Sequence, residues 1–211
     1  ESGLRIFEER LSGPQISVDS ISVGGEHAVI AVGAKQKFRT MPALDETLVF
    51  DATNCSPAVL EAQEQLVKEL GIKQGFLHSE YALTPMGVRL IEFGLRGGGG
   101  GISSHVAPYL TNSSVTRDFL AQRSRLQKLA PPRMVPERRA LVRFYTSLEQ
   151  WHQARKRLAT LESRGIQLLS RLETDFTDRH GSNSGPRKAM IAVGCETEDD
   201  LFVLDGILAA R

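Results

Sequence analysis

Residues 75–101 hold the feature that most limits the fold. Gly75 to Leu83 reads as one strand, Thr84-Pro85-Met86-Gly87 as a turn and Val88 to Phe93 as the return strand of a hairpin. Each arm carries one glutamate, Glu80 and Glu92, twelve residues apart. With the turn centred on Met86, the two face each other on the same side of a sheet. Directly opposed residues have Cβ atoms about 4.5–5.5 Å apart, where like charges are destabilising. A hard divalent cation held between them removes the repulsion, and Mg²⁺ takes such oxygen ligands together with phosphates. The alternative is a pair of solvated glutamates on an exposed face, because a one-residue slip of register would separate them.

The hairpin runs into Arg96 and then five consecutive glycines, Gly97 to Gly101. A guanidinium four residues past Glu92 suits a phosphate or a developing oxyanion; taken alone it reads first as a surface arginine. Glycines let backbone N–H groups approach a bound anion closely, and a helix starting near Ser103 would aim its N-terminus at the same spot. A plain loop tip is the competing reading. No Gly-Lys-Ser/Thr follows, so the run is not a Walker motif.

Upstream, residues 15–33 read as a first hairpin. Ile16 and Val18 alternate with Ser17 and Asp19, the apolar phase flips to Ile21 and Val23, and Gly24-Gly25 supply the turn. Residues 34–55, with Lys35, Lys37 and Arg39, read as an irregular excursion before a short strand at Leu48-Val49-Phe50. Residues 56–70 form a helix with Ser56 as N-cap and Pro57 at its first position. After Leu110 the composition shifts. A basic helix is expected over 115–128, with Arg117, Arg125 and Lys128 on one face, then a Pro-marked turn. The order strand, helix, strand, strand, helix from Ala140 to Ala210 suits a small ferredoxin-like unit, with a polar loop at Thr177 to Gly185. The chain therefore divides into residues 1–112 and residues 113–211. The abrupt start, with Ile6, Phe7 and Leu11 placed as if a strand were already under way, reads as a piece of a longer protein.

Net charge is +1 over 211 residues, so no global field favours nucleic acid or membrane. No apolar run approaches the roughly 20 residues that span a bilayer, and the N-terminus lacks a signal-peptide layout. Two distant cysteines, Cys55 and Cys195, have no metal-ligand spacing, and the cytosol is the simplest home. Cys55 has no base partner that would make it a nucleophile. His78 reads as a sheet-face histidine with a partner, Trp151 as core, and Asp199 and Asp200 as helix N-terminal charges.

Taken in order, His78-Ser79-Glu80, Thr84-Pro85-x-Gly87 and Glu92-Phe93-Gly94-Leu95-Arg96-Gly97-Gly98 resemble the signature of the ATP-grasp superfamily, in its branch that ligates small carboxylates to amines. Phe7-Glu8-Glu9-Arg10-Leu11-Ser12-Gly13 with Ser17-Val18-Asp19 is similar to that family's hinge and the first strand of its C-terminal lobe. The resemblance implies an α+β fold, an antiparallel ATP-grasp lobe followed by a small α+β subdomain. It implies ATP and Mg²⁺ (or Mn²⁺) as cofactors, Glu80 and Glu92 as metal ligands, and Arg96 as the group that stabilises the transferred phosphoryl or the acyl-phosphate oxyanion. It also implies Glu8, Glu9 and Leu11 at the adenine, and Lys35, Gly97 and Gly98 near the phosphates. Implied partners are a carboxylate and an amine substrate and a missing N-terminal half; a homodimer stays open. Gly94 stands where the family has an asparagine ligand, which leaves open a nucleotide-binding module without catalysis; a separate rival is a dimerisation or ligand-sensing role carried by residues 113–211.

Overall fold

The computed structural model describes residues 7–124, 130–173 and 189–209. Strand β1 (Gln15–Val23) pairs antiparallel with β2 (Glu26–Lys37). Gly24 and Gly25 turn the hairpin with φ of 62° and 89°. Left-handed backbone at both central positions is what a two-residue turn matched to sheet twist requires. The flip of apolar phase in β1 has a plain cause. Ile16 and Val18 pack on one face of the sheet, Ile21 and Val23 on the other, so each half of the strand is covered by different helices. Ser17 and Asp19 share the second face.

The stretch after this hairpin is more regular than its composition suggests. Strand β2 continues through Lys37, and β3 (Asp45–Phe50) pairs back on it, so Lys35 and Lys37 stand on a strand and not on an irregular excursion. Helix α1 (Pro57–Glu69) starts at Ser56, whose Oγ accepts from the Val59 N–H at 3.4 Å. Next come β4 (Gly75–Thr84) and β5 (Gly87–Gly94), then the glycine run. The helix expected near Ser103 opens as a π turn, Ile102–Val106, before α2 (Ala107–Thr111). Helix α3 (Val115–Arg123) lies within the expected basic helix; Arg125, Lys128 and the loop from Thr177 to Gly185 lie outside the described residues, as do Ile6, Lys188 and Ala210.

The remaining order is β6 (Arg139–Tyr145), α4 (Leu148–Glu162), β7 (Gln167–Glu173), β8 (Ala189–Cys195) and α5 (Glu198–Leu208). Thr197 caps α5 by accepting from the Asp200 N–H, with Glu198, Asp199 and Asp200 in the first turn. Strand β8 lies between β6 and β7 and antiparallel to both, the split β-α-β arrangement. Strand β6 pairs on its other side with β3, so the eight described strands make one antiparallel sheet in the order β5-β4-β1-β2-β3-β6-β8-β7.

Three apolar clusters hold the layers together. Helix α1 covers β1, β2 and β4 through Val59, with Val18, Val32 and Tyr81. The π turn, α2 and α3 cover the other face, where Ile102, Leu110 and Phe119 meet Ile21, Phe50 and Phe144. Helices α4 and α5 close β6 and β8 around Trp151, Tyr145 and Leu204. Trp151 is fully buried, as expected for a core residue. Cys55 and Cys195 are unpaired, and burial pushes both thiols up to about 11. Among the described residues no helix is long and apolar enough to cross a membrane.

Candidate active site

Alternation along β4 sends Ser79 and Tyr81 toward α1 and His78 and Glu80 to the opposite face. On the α1 side, Ser79 Oγ and Tyr81 Oη donate to Gln63 Oε1 at 2.6 and 2.7 Å, and Gln63 Nε2 donates to Ser20 Oγ at 2.7 Å. One buried amide thus fixes three hydroxyls and the register of β4 against β1.

On the other face the register pairs Glu80 directly with Glu92. The hairpin carries a β-bulge just beyond this pair: Tyr81 pairs with Leu90, leaving Ile91 as the extra residue. Bulges of this kind recur beside active sites, where they re-aim side chains. Leu90 and Ile91 both line a cavity of about 760 Å³, with Glu8 to Gln15 and with Lys35, Lys37 and Pro42. The segment ahead of β1 is tied over the end of β4, where the Leu83 N–H donates to Pro14 O at 2.8 Å.

Charges beside the cavity are ordered. Lys37 Nζ lies 2.7 Å from Asp45, and Asp45 lies 3.2 Å from Lys35 Nζ. Lys35 Nζ is 2.5 Å from Glu80 Oε2, while Glu80 Oε1 faces His78 Nε2 at 3.6 Å. His78 Nδ1 donates to Asp19 Oδ2 at 3.1 Å. The row alternates in sign, with three cations (Lys37, Lys35, His78) and three anions (Asp45, Glu80, Asp19). The Lys35 side chain is 3% exposed, which makes such pairing obligatory. Burial opposes charge on both His78 and Glu80. Hydrogen bonds to Asp19 and Glu80 outweigh it at His78 and push that imidazole up to about 9. Those from His78 and Lys35 outweigh it at Glu80 and hold the carboxyl down at about 2.

These values set a stability profile. His78 is raised above its ordinary 6.5, so its contribution is full below that pH and is lost as pH rises through about 9. Glu80 is depressed from 4.5, so its contribution is full above that pH and is lost as pH falls toward about 2. Thermal melts of the metal-free chain should therefore show a loss of about 1–3 kcal/mol between pH 6.5 and 9. His78→Gln should flatten that limb; an unchanged limb in the variant would place its cause elsewhere.

Glu92 stands apart from this row. It is exposed and makes no ion pair among the described residues, so it is the one carboxylate of the pair left uncompensated. Arg96 is exposed too, and its Nη1 donates to Gly97 O at 2.9 Å and not to either glutamate. Its stem lies over Gly94, where a Cβ would meet Arg96 Cγ and Nε at 3.4 Å. The Gly98 N–H, expected at a phosphate, donates to Asp19 Oδ1 at 2.5 Å, and a side chain at Gly98 would strike that carboxylate at 2.6 Å. The structure thus gathers Glu8, Glu9, Leu11 and Lys35 at one cavity and Glu80 and Glu92 beside it. Arg96 and Gly97 continue from the far end of β5. Lys35 reaches Glu80 and Asp45 rather than open space. Asp19, Asp45 and Lys37 are members that the sequence does not assign to the site; an aspartate in the middle of an apolar strand is the available signal for Asp19.

No protein-family model matches the sequence, and no curated protein sequence does. Solved structures do match. An L-amino acid ligase from Bacillus licheniformis superposes with a TM-score of 0.66 at 18% identity, over 93% of this chain and 52% of that one. The ATPase subunit of phosphoribosylaminoimidazole carboxylase from Aquifex aeolicus gives 0.67 at 13% identity, over 96% and 57%. A carboxyaminoimidazole ribonucleotide synthase from Aspergillus clavatus, complexed with ATP, gives 0.59 at 15%, over 94% and 51%. The chain has the fold of the C-terminal portion of the ATP-grasp ligases. It spans about half the length of each of these proteins. In this fold the carboxylate pair and the cavity under the segment before β1 sit together on the face opposite α1.

The donor set suits a divalent cation of one kind. Among the described residues no group of three or more His, Cys, Asp or Glu side chains is placed to cage a metal. Two opposed carboxylates fit an ion such as Mg²⁺ that takes its remaining oxygens from phosphates and water.

Proposed function

We propose that this chain is the nucleotide- and metal-binding half of an ATP-dependent ligase that joins a carboxylate to an amine through an acyl phosphate. The observation that carries the reading is the direct pairing of Glu80 with Glu92 beside the cavity that Glu8 to Gln15 and Lys35 line. The six-member row is neutral without Glu92, so that carboxylate supplies the surplus negative charge that attracts a cation.

In this reading Glu80 and Glu92 hold Mg²⁺ or Mn²⁺, and the ion when bound neutralises charge on the ATP phosphates. Lys35 and His78 hold one oxygen each of Glu80, which fixes its plane. Leu11, Leu90, Ile91 and Pro42 offer the adenine an apolar slot, and the backbone and acids at Glu8 and Glu9 meet its amino edge. Arg96, exposed and joined only to Gly97 O among the described residues, swings onto the transferring phosphoryl group or the oxyanion formed when the amine attacks. Gly97 lines the same approach. Residues 1–112 carry these groups, and residues 113–211 buttress the sheet from β3 outward. A missing N-terminal half closes over the triphosphate.

Gly94 favours a second reading, a module that binds nucleotide without turnover, because it offers no oxygen where a further ligand would stand. One experiment separates them. The longest native form of the protein is titrated with Mg·ATP, and ADP release is followed with a panel of amino acids and other small carboxylates paired with amines. Binding with carboxylate-dependent ADP release is expected. Binding without release would favour the second reading, and no binding at all would end both.

A further inference from the structure

Asp19 sits at the meeting point of three elements. It is 1% exposed, on β1, directly opposite His78 on β4, and below the glycine-rich loop. Its two oxygens are divided. Oδ1 takes the Gly98 N–H at 2.5 Å and Oδ2 takes His78 Nδ1 at 3.1 Å. The far side of the same imidazole faces Glu80 Oε1. The loop cannot back away from Asp19 in favour of a larger residue, since a Cβ at position 98 would lie 2.6 Å from the carboxylate. Ser103 Oγ donates to Gly98 O at 3.1 Å and closes the loop from its other side.

We propose that Asp19 and His78 are positioning residues that link the backbone of the glycine-rich loop to the Glu80 carboxylate, so that loop and metal ligand shift together. The metal role of Glu80 rests on the function proposed above; the mechanical link does not. A carboxylate is suited to the post because it accepts from an amide and an imidazole at once. A buried acceptor that loses one donor loses part of what stabilises its charge, so the two contacts support each other. Coupling of this kind is reciprocal, and a change at either end must be read at the other.

The test uses this chain without nucleotide. Amide exchange at Gly98 is measured in the wild type, His78→Gln and Glu80→Gln, and the Glu80 side-chain carboxyl resonance is measured in Gly98→Ala. Exchange at Gly98 should rise at least about tenfold in both glutamine variants, and the Glu80 resonance should move in Gly98→Ala. If His78→Gln fails to fold, the isosteric Glu80→Gln, at a side chain 18% exposed, decides alone. Exchange within about twofold of wild type in the folded variants, or an unmoved Glu80 resonance, would overturn the link. In the longest native form, Asp19→Asn should lower kcat for ADP formation about ten- to a hundredfold with the KM for ATP held within about threefold. A raised KM with unchanged kcat would overturn the positioning role. Failure of the wild type to bind Mg·ATP would remove the ligase reading and leave the exchange result standing.

Discussion

Glu92→Gln should abolish ADP formation in the native protein, lowering turnover at least about a hundredfold, while leaving the melting temperature unchanged or slightly higher. The two effects carry opposite signs for a physical reason. Glu92 is exposed, and among the described residues it forms no ion pair, so the fold loses no partner with it. It stands in register against Glu80, and removing one of two opposed negative charges relieves repulsion. In the proposed function, a cation shared with phosphate meets a neutral amide oxygen in place of an anionic carboxylate in the same step. Parallel calorimetry and an ADP-release assay check the pair of outcomes. Retained activity would count heavily against a metal site here, and a large loss of stability would mean that Glu92 has a structural partner.

Gln63→Leu should cost about 3 kcal/mol of unfolding free energy, since Ser79 and Tyr81 hydroxyls each lose their acceptor in a dry setting. Gln63 is fully buried on α1, and leucine of similar volume fills its space without offering an oxygen. Urea denaturation with an unchanged m-value would show the loss as a simple shift of midpoint. Because Ser79 and Tyr81 point away from Glu80, Mg·ATP affinity in the native form should stay within about threefold. A cost under about 1 kcal/mol would mean that the hydroxyls find other partners.

Much of the sheet was open to reading because its strands are hairpins with strong alternation. The pairing of Glu80 with Glu92 came out right through two offsetting displacements. Counting outward from Met86 puts them opposite each other, but the hairpin pairs Thr84 with Gly87 and so turns between Pro85 and Met86. A regular ladder from there would set Ile91 against Glu80; the bulge at Ile91 restores Glu92. Alternation along the two arms does not announce the bulge, which appears only in the paired register. Strand β2 was cut short because Lys35 and Lys37 look like loop residues, and only the fold supplies Asp45 and Glu80 to neutralise them. The contact between Asp19 and Gly98 spans 79 residues and depends on β4 lying next to β1, an order that local pattern does not encode. The likeness to a ferredoxin-like unit was legible in element order, whereas its seat against β3 was not.

The shared sheet has a mechanical consequence. Bending the lobe between β3 and β6 would break a ladder from Thr47–Arg143 to Phe50–Ala140 and open a core that holds Phe50, Phe144 and Met190 together. A plate built this way resists flexing across its width far better than a short strap does. In the proposed function, a part that clamps substrate would work against this stiff anvil, on the side where the strap ahead of Gln15 is latched by Leu83 N–H to Pro14 O.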